Sequence, residues 1–361
     1  MSDAPDHIEP AELELDRLRQ CLADFDDWRV DPPAELQHVT AVQRLSGGAN
    51  NSVYVLHARR PSWVLKQYFS HAEDLRDRFG AEVAFYDFAW SHGIRCVPQL
   101  LAAARSRKMA LIEFLPGRTL QAADMNERLV VQATQFCQQL CDARRASPAV
   151  SLPPAAESCF SIQQHLDCVD RRVQRLQRIA DDSDLQREVA RFTSRDLLES
   201  WRALRTCVLE DCSSRGISVV AELGARERIV SPSDFGFHNA VLDDRGDVRF
   251  LDFEYAGWDD PAKLICDFFC QVKVPVARAW YPTFFAGIAS RLPDPEAVRD
   301  RVKLLYPVYQ VKWCCIVLNE FLPVGLARRK FSAGECESKT SLAAQFEKAR
   351  TILGQLQAGL E

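Results

Sequence analysis

From residue 38 to residue 69 the chain spells strand, glycine turn, strand, turn, strand. HVTAVQRL is rich in β-formers, SGGANN is a turn cluster, and SVYVLHA places Val53, Val55 and His57 on one face. WVLKQYF follows a second turn, RRPS. Such a run is an antiparallel meander. Residues 73–92 switch to helical spacing, with Leu75, Phe79, Val83 and Tyr86 on one stripe and Gly93 as the stop. CVPQLLAAARSRKMALIEFLPG then gives two more strands around a polar turn at 105–108. A helix over 11–28 leads the chain, and after 117 the pattern is mainly helical. Short strands return at 227–256, where DDRGD separates NAVL from VRFLDF as a hairpin would. The expected fold class is therefore α+β with two lobes. Residues 1–115 form a small antiparallel-sheet lobe with its leading helix, residues 116–361 a larger, mainly helical lobe, and a hinge lies near 113–118.

The 361 residues are 47% hydrophobic and 26% charged, which excludes a disordered chain. A net charge of −5 lacks the basic excess of a general nucleic-acid binder. The N-terminal MSDAPDHIEPAELELDRLRQ is acidic and has no apolar signal core, and apolar runs such as CCIVL fall far below the ~20 residues that span a bilayer. The expected compartment is the cytoplasm. The 13 cysteines include no Cys-x-x-Cys and no His pair at zinc spacing, so they read as free, mostly buried thiols.

Three groups of residues carry chemistry. The first is LSGGANNSVYV at 45–55 followed by Lys66 in WVLK. A glycine pair between strands lets backbone N–H groups approach phosphate oxygens, and a lysine on the next strand offers them a positive charge. A plain hairpin turn also accounts for Gly47-Gly48, and no Walker Gly-Lys-Ser/Thr follows. The second is Glu82, a helix carboxylate able to hold Lys66 in place, or else a solvent-facing glutamate. The third is Asp234-Phe-Gly-Phe-His-Asn239 with Leu251-Asp252-Phe253-Glu254. Asp, Asn, Asp and Glu at this density on loops suit Mg2+, which prefers hard oxygen ligands. The first Asp suits a base or orienting group for a hydroxyl, and Asn239 and Asp252 suit a metal bridging nucleotide phosphates.

Asp-x-x-x-x-Asn followed by a hydrophobic-Asp-Phe-Glu segment resembles the core of the aminoglycoside phosphotransferase and choline kinase superfamily of small-molecule kinases. The other elements match in the same order. LSGGANNSVYV resembles its nucleotide loop, LIEFLPG at 111–117 its adenine-receiving hinge, and LDFEYAGWDDPAKLICDFF at 251–269 the run from the metal-binding Asp into the next helix. The resemblance implies a protein-kinase-like fold, ATP and Mg2+ as cofactors, and a small-molecule hydroxyl as acceptor. It implies Asp234 as catalytic base and Asn239 and Asp252 as metal ligands. Ser46, Gly47, Gly48, Asn50, Asn51, Lys66 and Glu82 would serve the phosphates, and Glu113, Phe114 and Leu115 the adenine. Glu254 is similar to an additional acidic residue of choline-kinase-like members.

There is a departure: Pro232-Ser233 stands where the family has His-Gly, which puts the loop geometry in doubt and keeps a pseudokinase or regulatory nucleotide-binding module in view. Asp-Phe-Glu in place of Asp-Phe-Gly, with no Ala-Pro-Glu after it, counts against a protein kinase. His238 reads as a shuttle base or as a packed loop histidine. For the acceptor, Trp258-Asp259-Asp260 and the aromatic face of Tyr306, Tyr309 and Trp313 offer cation–π or sugar-stacking contacts, or are simply helix core. Lys312 meets an anion there or snorkels to solvent. A sugar-like alcohol leads, then an amino alcohol, then an antibiotic.

Overall fold

Tyr54, Leu56, Trp63 and Leu65 alternate along two neighbouring strands and put their side chains on one buried face. That face and a leading helix build the first of two compact units, Met1–Phe79 with Pro98–Leu115. The structure, a computed structural model, describes residues 15–45, 51–58, 61–68, 76–146, 152–322 and 339–356. In chain order the first part runs α1 (Leu15–Ala23), β1 (Asp27–Trp28), β2 (Ala41–Leu45), β3 (Asn51–His57), β4 (Pro61–Tyr68), α2 (Arg78–Ser91), β5 (Leu100–Ala104) and β6 (Met109–Glu113). The strands form one antiparallel sheet in the order β1-β5-β6-β4-β3-β2. Leu18, Cys21 and Phe25, from α1 and the turn after it, cluster with Leu56, Leu65, Leu101 and Leu111 of the sheet. Each such side chain, fully buried, contributes roughly 1.5–3 kcal/mol.

The meander and the two later strands stand where the pattern predicts them. The leading helix is shorter than expected. It ends at Ala23, and Asp27 and Trp28, expected inside it, form β1 against Ala103 and Ala102. Strand pairing with β5, extended by the Arg29 amide donating to Leu101 O at 2.7 Å, overrides local helical spacing there.

The second unit is Gly80–Val97 with Pro116–Glu361. It continues with β7 (Arg118–Thr119), α3 (Glu127–Ala146), α4 (Ile162–Leu176), α5 (Asp184–Phe192), α6 (Leu198–Ser214), β8 (Ile229–Ser231), β9 (Ala240–Leu242), β10 (Val248–Phe250) and β11 (Gly257–Asp259). Then come α7 (Pro261–Cys270), α8 (Tyr281–Ala289), α9 (Pro295–Leu318) and α10 (Lys339–Gly354). β9 and β10 make the expected hairpin, with β7 beside β9, while β8 pairs with β11. The helices start where side chains satisfy their first amides. Ser161 and Gln164 form a capping box on α4, and Asp260 caps α7 with Pro261 at its first turn.

Phe136, Phe235, Phe250, Phe268 and Phe284 stack in the core of this unit, the last two at 4.0 Å between centroids. No helix among the described residues is long and apolar enough to cross a membrane. Twelve cysteines are described, none of them in a disulfide: nine are buried, Cys96 and Cys270 are half-buried, and Cys207 on α6 is exposed.

Candidate active site

The second unit gathers Asp234, Asn239 and Asp252. β8 is buried and pinned by β11, so the chain leaves it at a fixed point. Pro232 and Ser233 then turn it, with Ser233 in the left-handed region at φ 66°. The Ser231 hydroxyl accepts from the Ser233 amide at 3.0 Å and holds that bend. Phe235 and Phe237 on either side of Gly236 are buried against Phe250 and Phe268. The alternation Asp-Phe-Gly-Phe-His thus anchors the loop by its phenylalanines and leaves the Asp234 side chain 43% exposed.

Two neighbours fix that carboxylate. His238 Nε2 lies 3.3 Å from Asp234 Oδ1, and the imidazole is only 5% exposed. Its Nδ1 is buried with no hydrogen-bond partner among the described residues. Asn239 Nδ2 donates to Asp234 O at 2.9 Å and approaches Oδ2 at 3.4 Å. Close packing around the carboxyl pushes its pKa up, but the His238 hydrogen bond and charge, Lys273 and the Asn239 amide outweigh it. The carboxyl lies below its usual value, which keeps it a carboxylate near neutral pH.

Asn239 and Asp252 are tied through the backbone, because the Leu251 amide donates to Asn239 O at 2.8 Å. Asp252 is also left-handed, at φ 64°. Aspartate tolerates that region better than most residues. Phe253 locks the chain just beyond it: the ring stacks on Phe85 at 4.3 Å and meets Tyr86 edge-on at 5.6 Å. The Phe253 amide donates to Glu82 Oε1 at 3.1 Å, and the Tyr86 hydroxyl donates to the same oxygen at 2.9 Å. Glu82 is fully buried, so within this unit it is no solvent-facing residue. Burial, then the Glu82 charge, raise the Tyr86 pKa and keep its hydroxyl a donor. Glu254 is buried.

The donor set fits Mg2+. Asn239 spends its amide N–H2 on Asp234, which leaves Oδ1 as its acceptor end, and Asp252 adds a carboxylate. Mg2+ keeps several waters and takes one or two protein side chains plus substrate phosphates. Among the described residues no group of three or more His, Cys, Asp or Glu is placed to hold a metal ion.

In the first unit Lys66 sits on β4 opposite Val53 and Ala110, buried, with Nζ 5.1 Å from the Tyr68 ring centre. Asn51 opens β3 opposite Tyr68. Ser46, Gly47, Gly48 and Asn50 lie outside the described residues. Glu113 ends β6: its amide donates to Gln99 O at 2.8 Å, and its carboxylate accepts from the Gln99 amide at 3.2 Å. Phe114 is half-buried and Leu115 buried.

The profile of the family described as phosphotransferase enzyme family (APH) matches residues 41–301. The chain belongs to that family. This phosphotransferase has a kinase-like fold. It is similar to a choline/ethanolamine kinase family protein from Mesorhizobium loti at 15% identity, covering 94% of each chain, with a TM-score of 0.57. Its similarity to the choline kinase LicA from Streptococcus pneumoniae is 13% over 88% of this chain and 95% of that one, with a TM-score of 0.56. An aminoglycoside phosphotransferase APH(2")-IIa, solved with gentamicin, is 13% identical over 92% of this chain and 99% of that one, also at 0.56. A comparison with curated proteins gives no match. Family and fold together make the chain a phosphotransferase with the kinase-like fold.

Of the residues singled out for the acceptor, Asp259, Asp260, Tyr306, Tyr309 and Trp313 are buried in this phosphotransferase. Asp259 is fully buried, ion-paired to Lys263, and accepts from the Asp260 amide at 2.9 Å. Burial pushes its carboxyl up, against the Lys263 charge. Asp260 meets His165 Nε2 at 2.9 Å and Arg301 Nε at 2.5 Å. Burial raises its carboxyl, but Arg301 and His165 prevail and hold it at about 2. The Tyr309 hydroxyl bonds His165 Nδ1 at 2.8 Å, and Trp313 Nε1 donates to Asp267 at 2.7 Å. Lys312 neither snorkels nor waits for an anion: its Nζ donates to both Asp267 oxygens, at 2.9 and 2.8 Å. Trp258, on β11, is half-buried and bonded through its backbone to Pro153 and Ala155. Sequence reasoning missed Tyr86 as a partner of Glu82. Their i, i+4 spacing on one helix was the available signal.

Proposed function

We propose that the chain moves the γ-phosphoryl group of ATP to a hydroxyl of a small molecule, with Mg2+ as cofactor, in the cytoplasm. The observation that carries this is the locked triad Asp234, Asn239 and Asp252, joined by Asn239 Nδ2 to Asp234 O and by the Leu251 amide to Asn239 O. Structural neighbours solved with ADP, or with AMP-PNP and Ca2+, support nucleotide use.

In this reading Asp234 receives the acceptor hydroxyl. His238 neighbours Oδ1 and Asn239 neighbours Oδ2, and a remaining lone pair of the carboxylate orients the hydroxyl and takes its proton as the O–P bond forms. In-line transfer needs this alignment more than a strong base, because the phosphoryl transition state asks mainly for positioning and charge balance. Asn239 and Asp252 would hold Mg2+, which neutralises phosphate charge when bound. Lys66, with the amides of the glycine turn and Asn51, would serve the phosphates, and the backbone of Glu113–Leu115 the adenine. Glu82 sets the Phe253 backbone and through it the approach of Asp252. The Ser231–Ser233 hydrogen bond supplies a support for the loop where Pro232-Ser233 replaces the family's usual pair, which favours an active enzyme over a pseudokinase.

The test is acceptor-dependent ADP release with Mg2+ and ATP over sugars, amino alcohols and aminoglycosides, beside Asp234→Asn. Release that vanishes in the variant supports the reading, and full turnover in the variant removes Asp234 from the reaction.

A further inference from the structure

The acceptor hydroxyl has to lie at Asp234, so the charges around that carboxylate govern what else the acceptor can carry. Three acids of the same unit are already matched. Asp259 has Lys263, Asp260 has Arg301, and Asp267 has Lys312 and the Trp313 N–H. Two aromatic faces are taken as well. Lys312 Nζ stands 4.7 Å from the Tyr309 ring centre, and the Arg278 guanidinium 5.5 Å from that of Tyr306. A cationic acceptor would therefore meet rings and carboxylates that the protein's own cations occupy.

The segment after α7 tips the balance further. Gln271–Trp280 contains Lys273 and Arg278 and no acid. The Gln271 side chain closes its first turn by accepting from the Val274 amide at 3.1 Å and donating to Val274 O. The same side chain lies against the catalytic loop: its Cγ is 3.4 Å from where a Cβ on Gly236 would stand. This contact holds Lys273 beside the loop, exposed and without an ion pair among the described residues.

Resting on the proposed phosphoryl transfer, we propose that the acceptor carries an anionic group, a carboxylate or a phosphate, beside its hydroxyl, and that Lys273 receives that group. The reaction stays balanced. The acceptor oxygen bonds to the γ-phosphorus, the bond to the β-phosphate oxygen breaks, ADP leaves, and the hydroxyl proton passes to Asp234. Lys273 is a binding residue that offsets the repulsion between an anionic acceptor and the nucleotide phosphates.

Matched sets on one carbon skeleton test this with the full chain. Glycerol, glycerate, glycerol 3-phosphate and serinol form one set; glucose, glucuronate, glucose 6-phosphate and glucosamine form another. ADP release is read for each, and ATP binding is measured separately. The expected result is that an anionic member leads its set in kcat/KM by at least ~10-fold, the scale of one charge-assisted hydrogen bond. Glycerate against glycerol 3-phosphate, and glucuronate against glucose 6-phosphate, tell carboxylate from phosphate. Lys273→Gln should cut the anionic-to-neutral ratio by at least ~10-fold. A neutral or amine member in the lead, or no anionic member turned over while ATP binds, overturns the proposal and leaves the phosphotransferase reading standing. So does a Lys273→Gln ratio equal to wild type. Failure to bind ATP removes the nucleotide reading and this proposal with it.

Discussion

Asp252 and Ser233 sit at φ 64° and 66°, a region that costs most side chains of this chirality about 1–2 kcal/mol. That choice decides which substitution tests Asp252 cleanly. Asn accepts the left-handed region as Asp does and removes only the charge, whereas Ala adds backbone strain. Asp252→Asn should leave thermal unfolding near wild type while kcat/KM falls by at least ~100-fold, about 2.7 kcal/mol of transition-state stabilisation. An unchanged Mg2+ titration in that variant would remove the residue from the metal site. His238 is separable from the loop's packing in a similar way. His238→Gln keeps an N–H donor for Asp234 Oδ1 and should retain kcat within ~10-fold. His238→Ala should lose ~10- to 100-fold in kcat with KM for ATP unchanged. Equal losses in both variants would mean that the imidazole only fills space.

The α7–α9 pair shows what an element can hide from pattern reading. Asp259, Lys263 and Asp267 recur at i, i+4, and the Lys263 ammonium lies between two carboxylates that raise its pKa against burial. Lys312 enters from α9 and completes the set. Removing one partner of a buried pair strands the other, at a cost of roughly 3–5 kcal/mol. Lys312→Met should lower stability by about 3 kcal/mol in urea unfolding followed by tryptophan fluorescence. Asp260 gives the pH dependence. Its folded-state carboxyl lies at about 2, below its ordinary value of 3.8. Its contribution, about 2 kcal/mol, is complete above pH 4 and fades as pH falls toward 2. Arg301→Met removes the main cause, so the stability gap between it and wild type should be wide at pH 6, about half as wide at pH 3 and narrow by pH 2. A gap that stays constant would assign Arg301 to packing alone.

At the scale of the molecule, the order of motifs was legible because each is local. Lys66 on a strand, Asp234 and Asn239 on one loop and Asp252 after a hairpin all follow from spacing within a few residues. Long-range pairing was not legible. Nothing near residue 27 announces a partner at Ala103, and nothing near Tyr309 announces His165, 144 residues away. The aromatic stripe Tyr306, Tyr309, Trp313 was correct as one helix face, but spacing does not say whether a face meets ligand or core. The buried partners of Tyr309 and Trp313 make it core.

The distribution of thiols turns the fold into its own reporter. Among the described residues an alkylating reagent meets one exposed sulfur, Cys207, and nine enclosed ones. Burial raises the pKa of several of them, including Cys137, Cys266 and Cys314, which further slows their alkylation. A brief pulse of label, counted by mass, would therefore read out how much of the fold has opened at that instant. It needs neither a substrate nor an added tag.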